Sequence, residues 1–181
     1  MERRDFIKTL AISGGVTTLS GCQQVLNVKE RRVNSMVDSY GIIIENLRGI
    51  DGSRSGFVEL LRSGNYSVLN TRLNEYESDV YESSSEFKSL SEQFEILKEN
   101  NEGSFDGVAT VVSVTDLAIM HAERYLQSTR SSIEAVPSQN AESYSSNNIK
   151  SVEEYTLFKA ELNNLPDQNK FEELVVQVFL N

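Results

Sequence analysis

The sequence has little of what metal and redox sites are usually built from. Its 181 residues include one Cys, one His and no Trp. A single Cys cannot form a disulfide within the chain, and it cannot build a multi-cysteine zinc or iron–sulfur site. Pro occurs only twice, so long helices are tolerated. We therefore expect neither a metal ion nor a cofactor in this protein.

Positive charge is scarce as well. The chain has 17 Lys and Arg against 27 Asp and Glu, and its formal net charge is −10. A nucleic-acid partner needs a basic footprint to neutralise its phosphates, so this balance argues against one. The patterns of a nucleophile elbow, a P-loop and a dinucleotide-binding fold are missing too. We predict that the protein is not an enzyme.

His121 is the one residue to weigh for histidine-based chemistry. In a di-iron bundle a Glu stands three residues before such a His, and here that position is Ala118. Haem ligation by Met36 and His121 would require a motif that these two residues do not form. Helical spacing places His121 on the outward flank of its helix, beside Ala122. We expect its side chain to be exposed or partly packed.

The first residues of the chain carry its most specific pattern. Two arginines are followed by an aromatic residue, an aliphatic residue and a lysine: Arg3, Arg4, Phe6, Ile7 and Lys8. The apolar stretch behind them, residues 9–19, is too short for a bilayer core, which takes roughly 20 residues. This layout resembles the twin-arginine (Tat) export signal, in which a receptor reads the arginine pair as an address.

A second pattern follows directly after the first. It consists of Leu19, Ser20, Gly21 and Cys22. It resembles a lipobox, where signal peptidase cuts before a cysteine that has received a diacylglyceryl group. Together the resemblances imply that residues 1–21 are removed and that Cys22 anchors the protein on the extracytoplasmic face of the cell membrane. Two acyl chains give stable attachment, whereas a single chain gives only marginal binding.

Removal of the signal would make the chain more acidic. Residues 1–21 contain three basic and two acidic residues, so 14 basic and 25 acidic residues would remain. An acidic mature chain behind a Tat signal and a lipobox resembles exported lipoproteins of haloarchaea. We assign residues 22–32 to a lipidated tether and residues 33–181 to a folded domain.

Helical periodicity dominates that domain. Apolar residues recur every three or four positions from Val33 to Ile50 and define a first helix. Gly49, Gly52 and Ser53 predict a break before a short apolar segment, residues 57–61.

The next two helices carry the clearest seams. Asn65 is a candidate N-cap for a helix of about 32 residues, and Ser104 for the one after it. The first seam is coiled-coil-like and consists of Tyr66, Leu69, Leu73, Tyr76, Val80, Ser83, Phe87, Leu90, Phe94 and Leu97. The second consists of Phe105, Val108, Val112, Thr115, Ile119, Ala122, Leu126, Thr129 and Ile133. The short connection between them predicts an antiparallel hairpin.

The last part of the chain is less regular. Residues 137–148 are rich in Ser and Asn and predict a loop. Ser151 and Glu154 match a capping box at the start of a fourth helix. After Pro166 the apolar spacing indicates a short fifth helix, although its valine-rich end is also compatible with a strand. The fold class is therefore all-α: an elongated antiparallel bundle of four to five helices with coiled-coil-like heptad seams.

Two functions fit these patterns. The first is a structural or protein-interaction lipoprotein of the cell envelope, which contacts a partner protein or a second copy through its helical surface. The alternative is an accessory lipoprotein of a transport system that binds a solute between its helices. The alternative requires a polar cavity, and the polar seam residues Ser83, Thr115 and Thr129 are the hints of one. Asn65 also begins a glycosylation sequon, which competes with its capping role.

Overall fold

The computed structural model describes residues 20–136 and 141–180, with the backbone alone for residues 20–26. These residues form five α-helices and no β-strand. The helices are α1 (Ser20–Arg62), α2 (Tyr66–Glu99), α3 (Asp106–Ala135), α4 (Ala141–Asn164) and α5 (Gln168–Phe179). The all-α prediction is confirmed, and the valine-rich end of the chain is a helix.

The bundle consists of two antiparallel hairpins. The most extensive interfaces join α1 to α2 and α3 to α4. Between α1 and α2 the Ser39 hydroxyl donates to the Glu86 carboxylate at 2.7 Å, and the Asn46 amide donates to the Asp79 carbonyl at 3.2 Å. The predicted hairpin of α2 and α3 also exists, but its interface is smaller than the other two.

The short helix α5 closes one end of the bundle against α1. Asp167 caps the helix by accepting a hydrogen bond from the Lys170 amide at 2.9 Å. The Tyr40 ring stacks on Phe171 with ring centroids 4.1 Å apart, and its hydroxyl donates to the Pro166 carbonyl at 2.7 Å. The ring of Tyr40 therefore holds α5 by apolar packing, and its hydroxyl holds the residues just before α5 by a hydrogen bond.

The predicted seams are the core of the molecule. In α2 the buried residues are Leu69, Leu73, Val80, Ser83, Leu90, Phe94 and Leu97, and in α3 they include Val108, Thr115, Ile119, Ala122, Leu126, Thr129 and Ile133. Phe179 of α5 completes this core by contacting Phe94 and Phe105. Burial along one face of each helix supplies most of its stability, since long amphipathic helices depend on tertiary packing.

The predicted break in the first helix is wrong. α1 is continuous from Ser20 to Arg62 and includes the expected tether, residues 22–32. Ile50 and Phe57 lie on its buried face with 0% and 1% exposure, so packing extends across the glycines. The Ser53 hydroxyl donates to the Ile50 carbonyl at 2.7 Å, which satisfies it within the helix.

The predicted loop at residues 137–148 is also wrong in its second part. α4 begins at Ala141, and residues 137–140 lie outside the described residues. Ser151 is not a cap but a buried residue inside α4, with its hydroxyl 2.7 Å from that of Thr129. Residues 141–148 are thus helical although their composition is typical of a loop and none of them is buried.

Neither of the two other predicted caps forms as expected, although Asn65 is correct in place. Asn65 precedes α2, but its side chain makes no capping hydrogen bond. The N-cap of α3 is Phe105, one residue after Ser104. The Ser104 hydroxyl donates instead to the Asp106 carboxylate at 2.9 Å.

Candidate functional site

The residues predicted for export lie outside the described part of the chain. These residues are Arg3, Arg4, Phe6, Ile7, Lys8 and Leu19. Ser20, Gly21 and Cys22 are described by their backbone and form the start of α1. The signal and the lipidation site remain predictions. Among the described helices, none combines the length and the apolar character needed to cross a bilayer.

His121 lies at the interface of α3 and α4. Its Nδ1 atom is 2.8 Å from Glu154 Oε2, and the two side chains are 12% and 13% exposed. His121 is partly packed, as expected, but it faces α4 and does not lie on the outward flank of α3. The sequence does not indicate its partner, because Glu154 matches a capping box there. In residues 20–136 and 141–180 no three His, Cys, Asp or Glu side chains are grouped so as to hold a metal ion.

A polar cluster joins α1 to α4. We call Asp51, Arg54, Tyr155 and Lys159 the Asp51 cluster. The Tyr155 hydroxyl donates to Asp51 Oδ1 at 2.7 Å, and the Lys159 ammonium donates to Asp51 Oδ2. The guanidinium carbon of Arg54 lies 3.6 Å from the centroid of the Tyr155 ring, a close cation–π contact. No motif in the sequence marks these four residues. The two on α1 and the two on α4 are separated by about 100 positions in the chain.

Contacts within the Asp51 cluster shift the pKa values of Asp51 and Tyr155. Burial would raise the pKa of Asp51, but hydrogen bonds from Lys159 and Tyr155, together with the charges of Lys159 and Arg54, lower it below its ordinary value. Burial and the bond to Asp51 raise the pKa of Tyr155 to about 12. At neutral pH Asp51 is therefore a carboxylate and Tyr155 is a neutral hydroxyl donor.

A small hollow lies beside Arg54, where α1, α3 and α4 meet. Its volume is about 40 Å³. The polar residues around it are Arg54, Tyr125, Thr129, Ser132, Asn148 and Ser151. A space of this size holds one or two water molecules, whereas pockets for organic ligands have volumes of about 300 Å³ or more. We call it the Arg54 hollow.

The three polar seam residues differ in what they do. The Ser83 hydroxyl donates to the Asp79 carbonyl at 2.8 Å, and that of Thr115 donates to the Val111 carbonyl at 2.7 Å. Both are therefore satisfied within their own helices and mark no cavity. Thr129 bonds in the same way to the Tyr125 carbonyl, but it also contacts Ser151 and borders the Arg54 hollow.

The outward side of α4 is the most apolar exposed surface on a single helix. Its exposed apolar side chains are Ile149, Val152 and Leu157, which are 57%, 46% and 47% exposed. Ile149 and Val152 are three residues apart and share one side of the helix, whereas Leu157 lies about 140° around the axis from Val152. Within residues 20–136 and 141–180, α4 packs mainly against α3, and its next most extensive contact is a small one with α1.

The chain has no match among protein-family models, curated proteins or solved structures.

Proposed function

We propose that the protein is a cell-envelope lipoprotein that acts as a structural or protein-interaction module. Cys22 would carry the lipid, and the bundle would lie on the outer face of the cytoplasmic membrane. The observation that carries this proposal is the Tat-like segment at Arg3 and Arg4 followed by the lipobox-like residues before Cys22. Each pattern is short, but their order and position are those of an exported lipoprotein precursor.

The continuity of α1 determines how a lipid on Cys22 would be connected to the bundle. Cys22 lies in the first turn of a helix that reaches Arg62, and from Val33 onward this helix is part of the core. At 1.5 Å per residue, Arg62 is about 60 Å from Cys22 along the helix axis. A lipid on Cys22 would therefore be attached to the bundle through a helix rather than through a flexible linker, and the far end of the bundle would project from the membrane.

The outer face of α4 is the surface best suited to a protein partner. Ile149, Val152 and Leu157 expose aliphatic side chains along this one helix, and exposed apolar patches are typical of interaction sites. The alternative function, solute binding, has less support. Three hollows on the described part of the chain have volumes of about 220, 40 and 240 Å³, all below the roughly 300 Å³ of typical pockets for organic ligands.

The anchor is tested by replacing its attachment atom. In the natural host, Cys22→Ala should abolish incorporation of labelled lipid, and the protein should be released or remain as uncleaved precursor. Ser20→Ala is the matched control, because it keeps a small residue in the lipobox and leaves the thiol in place. Membrane retention of Cys22→Ala with a normally cleaved N-terminus would contradict the proposal.

The interaction surface is tested by site-specific crosslinking. A photoreactive amino acid at position 149 or 157 should crosslink the protein to a partner or to a second copy, whereas one at Tyr81 should not. Tyr81 is a suitable control because it is 79% exposed but lies on α2. Equal crosslinking from Tyr81 and from α4, or no crosslinked product from either α4 position, would contradict a role for this face.

A further inference from the structure

The turn between α1 and α2 contains a motif that the proposed function does not use. Asn65, Tyr66 and Ser67 form an N-x-S sequon, which is the acceptor sequence for an N-linked glycan. No other Asn of the 181 residues has a Ser or Thr two positions later. In the sequence this motif competes with the predicted capping role of Asn65, because a capping side chain is already engaged in a hydrogen bond.

The structure removes this competition. Asn65 is exposed, and its side chain makes neither a capping hydrogen bond nor any other hydrogen bond to a described residue. Ser67 is exposed as well, and its hydroxyl makes no hydrogen bond within the described part of the chain. The two groups that define the sequon, the Asn65 amide and the Ser67 hydroxyl, are therefore both accessible and unused by the fold.

The turn is held by groups other than these two. Gly64 has a φ of 71°, a left-handed conformation that favours glycine at the end of a helix. The Asn65 amide N–H of the backbone donates to the Leu60 carbonyl at 3.0 Å. Tyr66, the middle residue of the sequon, is partly buried and packs against the core. A modification on the Asn65 side chain would therefore disturb neither the turn nor the packing.

The position of the turn matches the compartment in which glycans are transferred to exported proteins. Asn65 follows Arg62 by three residues, and Arg62 is about 60 Å from Cys22 along the helix axis. In the proposed function Cys22 lies at the membrane, so this turn lies at the end of α1 that is remote from the bilayer. A surface turn of an exported protein is the usual place for an N-linked glycan.

We propose that Asn65 is an N-glycosylation site whose donor is a lipid-linked oligosaccharide phosphate. The Asn65 Nδ2 atom forms a bond to C1 of the first sugar, and the bond between C1 and the phosphate oxygen breaks. The proton that Nδ2 loses goes to the released lipid phosphate, and nothing is oxidised or reduced. This inference rests on the proposed function, because the transfer requires export. The glycan is bulky and polar and covers the turn, while the seam of α2 begins its buried part at Leu69.

The test is peptide mass spectrometry of the protein isolated from membranes of its natural host. Trypsin cleaves after Arg62 and Arg72 and releases residues 63–72, which contain the sequon. We expect this peptide to carry the additional mass of a glycan. Ser67→Ala should lose that mass although Asn65 is still present, whereas Ser67→Thr should retain it. An unmodified peptide from membrane-bound protein that carries lipid on Cys22 would overturn this inference and leave the lipoprotein proposal intact.

A second pair of variants assigns the glycan to one asparagine. Asn65→Gln should lose the added mass. Asn70→Gln is the matched control, because Asn70 lies in the same peptide but has Arg72 two positions later, and it should keep the glycan. Added mass that persists in Asn65→Gln would overturn the assignment. Wild-type protein found only as unmodified precursor in the cytoplasm would overturn this inference together with the proposed function.

Discussion

At the scale of single residues, buried hydroxyl groups show how an apolar seam accepts polar atoms. Ser83, Thr115 and Thr129 are all buried, and each donates to the carbonyl four residues earlier in its helix. Such a bond satisfies the hydroxyl without a partner on another helix. Thr129 goes further, since its oxygen also lies 2.7 Å from Ser151 and so links α3 to α4.

The link between Thr129 and Ser151 gives a prediction for stability. Thr129→Val keeps the shape of the side chain but leaves the buried Ser151 hydroxyl without this partner, which should cost about 1–3 kcal/mol of unfolding free energy. Urea denaturation measures the loss. The double variant Thr129→Val/Ser151→Ala should lose less than the sum of the two single variants, because neither hydroxyl is then left unpaired. Strict additivity would show that the two hydroxyls do not interact.

The seam of α2 gives a second prediction at this scale. Leu73 is fully buried, and Leu73→Ala should lower the unfolding free energy by about 2–5 kcal/mol through lost burial and the cavity that remains. Val68→Ala is the control on the same helix, because Val68 is 46% exposed and its truncation should change stability by less than about 0.5 kcal/mol. Similar losses in the two variants, measured in urea, would mean that the seam is not the core.

At the scale of helices, periodicity predicted the elements whose buried face is apolar. α2, α3 and α5 agree with the pattern because their seams are continuous and their ends carry polar or turn-forming residues. α1 and α4 differ from the predicted pattern because contacts with other helices decide their structure. In α1 the buried Phe57 keeps the glycine-containing part in the core, and in α4 the first buried residue is Ser151, which contacts Thr129 of α3 ten residues after the helix begins. The Asp51 cluster was equally hidden, since its bonds join residues about 100 positions apart.

The contact between α1 and α4 should make stability depend on pH through Asp51. Its pKa is lowered from an ordinary value of 3.8, so its stabilising contribution is present above that value and is lost as the pH falls through the folded-state pKa. Asp51→Asn should therefore be less stable than wild type at pH 7, and the difference should shrink in acid. Urea unfolding at several pH values measures it, and a difference that is constant down to pH 2 would contradict the role of the carboxylate.

Asp79 on α2 provides the opposite case. Burial raises its pKa, and the negative charges of Glu82 and Glu75 raise it further. Its ionised form is thus disfavoured in the folded state, and Asp79→Asn should be more stable than wild type at pH 7. This advantage should disappear as the pH falls through the raised pKa, where wild-type Asp79 takes up its proton. The same unfolding series measures both variants, and a destabilised Asp79→Asn at neutral pH would contradict the sign.

At the scale of the whole molecule, the bundle is an acidic body whose proposed anchor lies at one end of its longest helix. Because α1 contributes core residues from Val33 to Phe57, the proposed anchor and the packed domain share one helix. An acidic body is repelled by an anionic membrane surface, so lipid rather than surface charge would have to hold it there.

The last prediction concerns how the molecule reaches that surface. Replacing Arg3 and Arg4 together by Lys keeps both charges but removes the planar guanidinium groups. If the segment is a Tat signal, its receptor requires those groups, because guanidinium and ammonium are not interchangeable at such sites. Full-length precursor, still carrying residues 1–21, should accumulate in the cytoplasm, and the membrane fraction should lose the shorter mature form. Immunoblots of the separated fractions measure both species. Glu2→Gln is the control in the same short segment and should be exported normally. Normal export and cleavage of the double Lys variant would instead indicate a general secretory signal, with the lipid attachment at Cys22 unaffected.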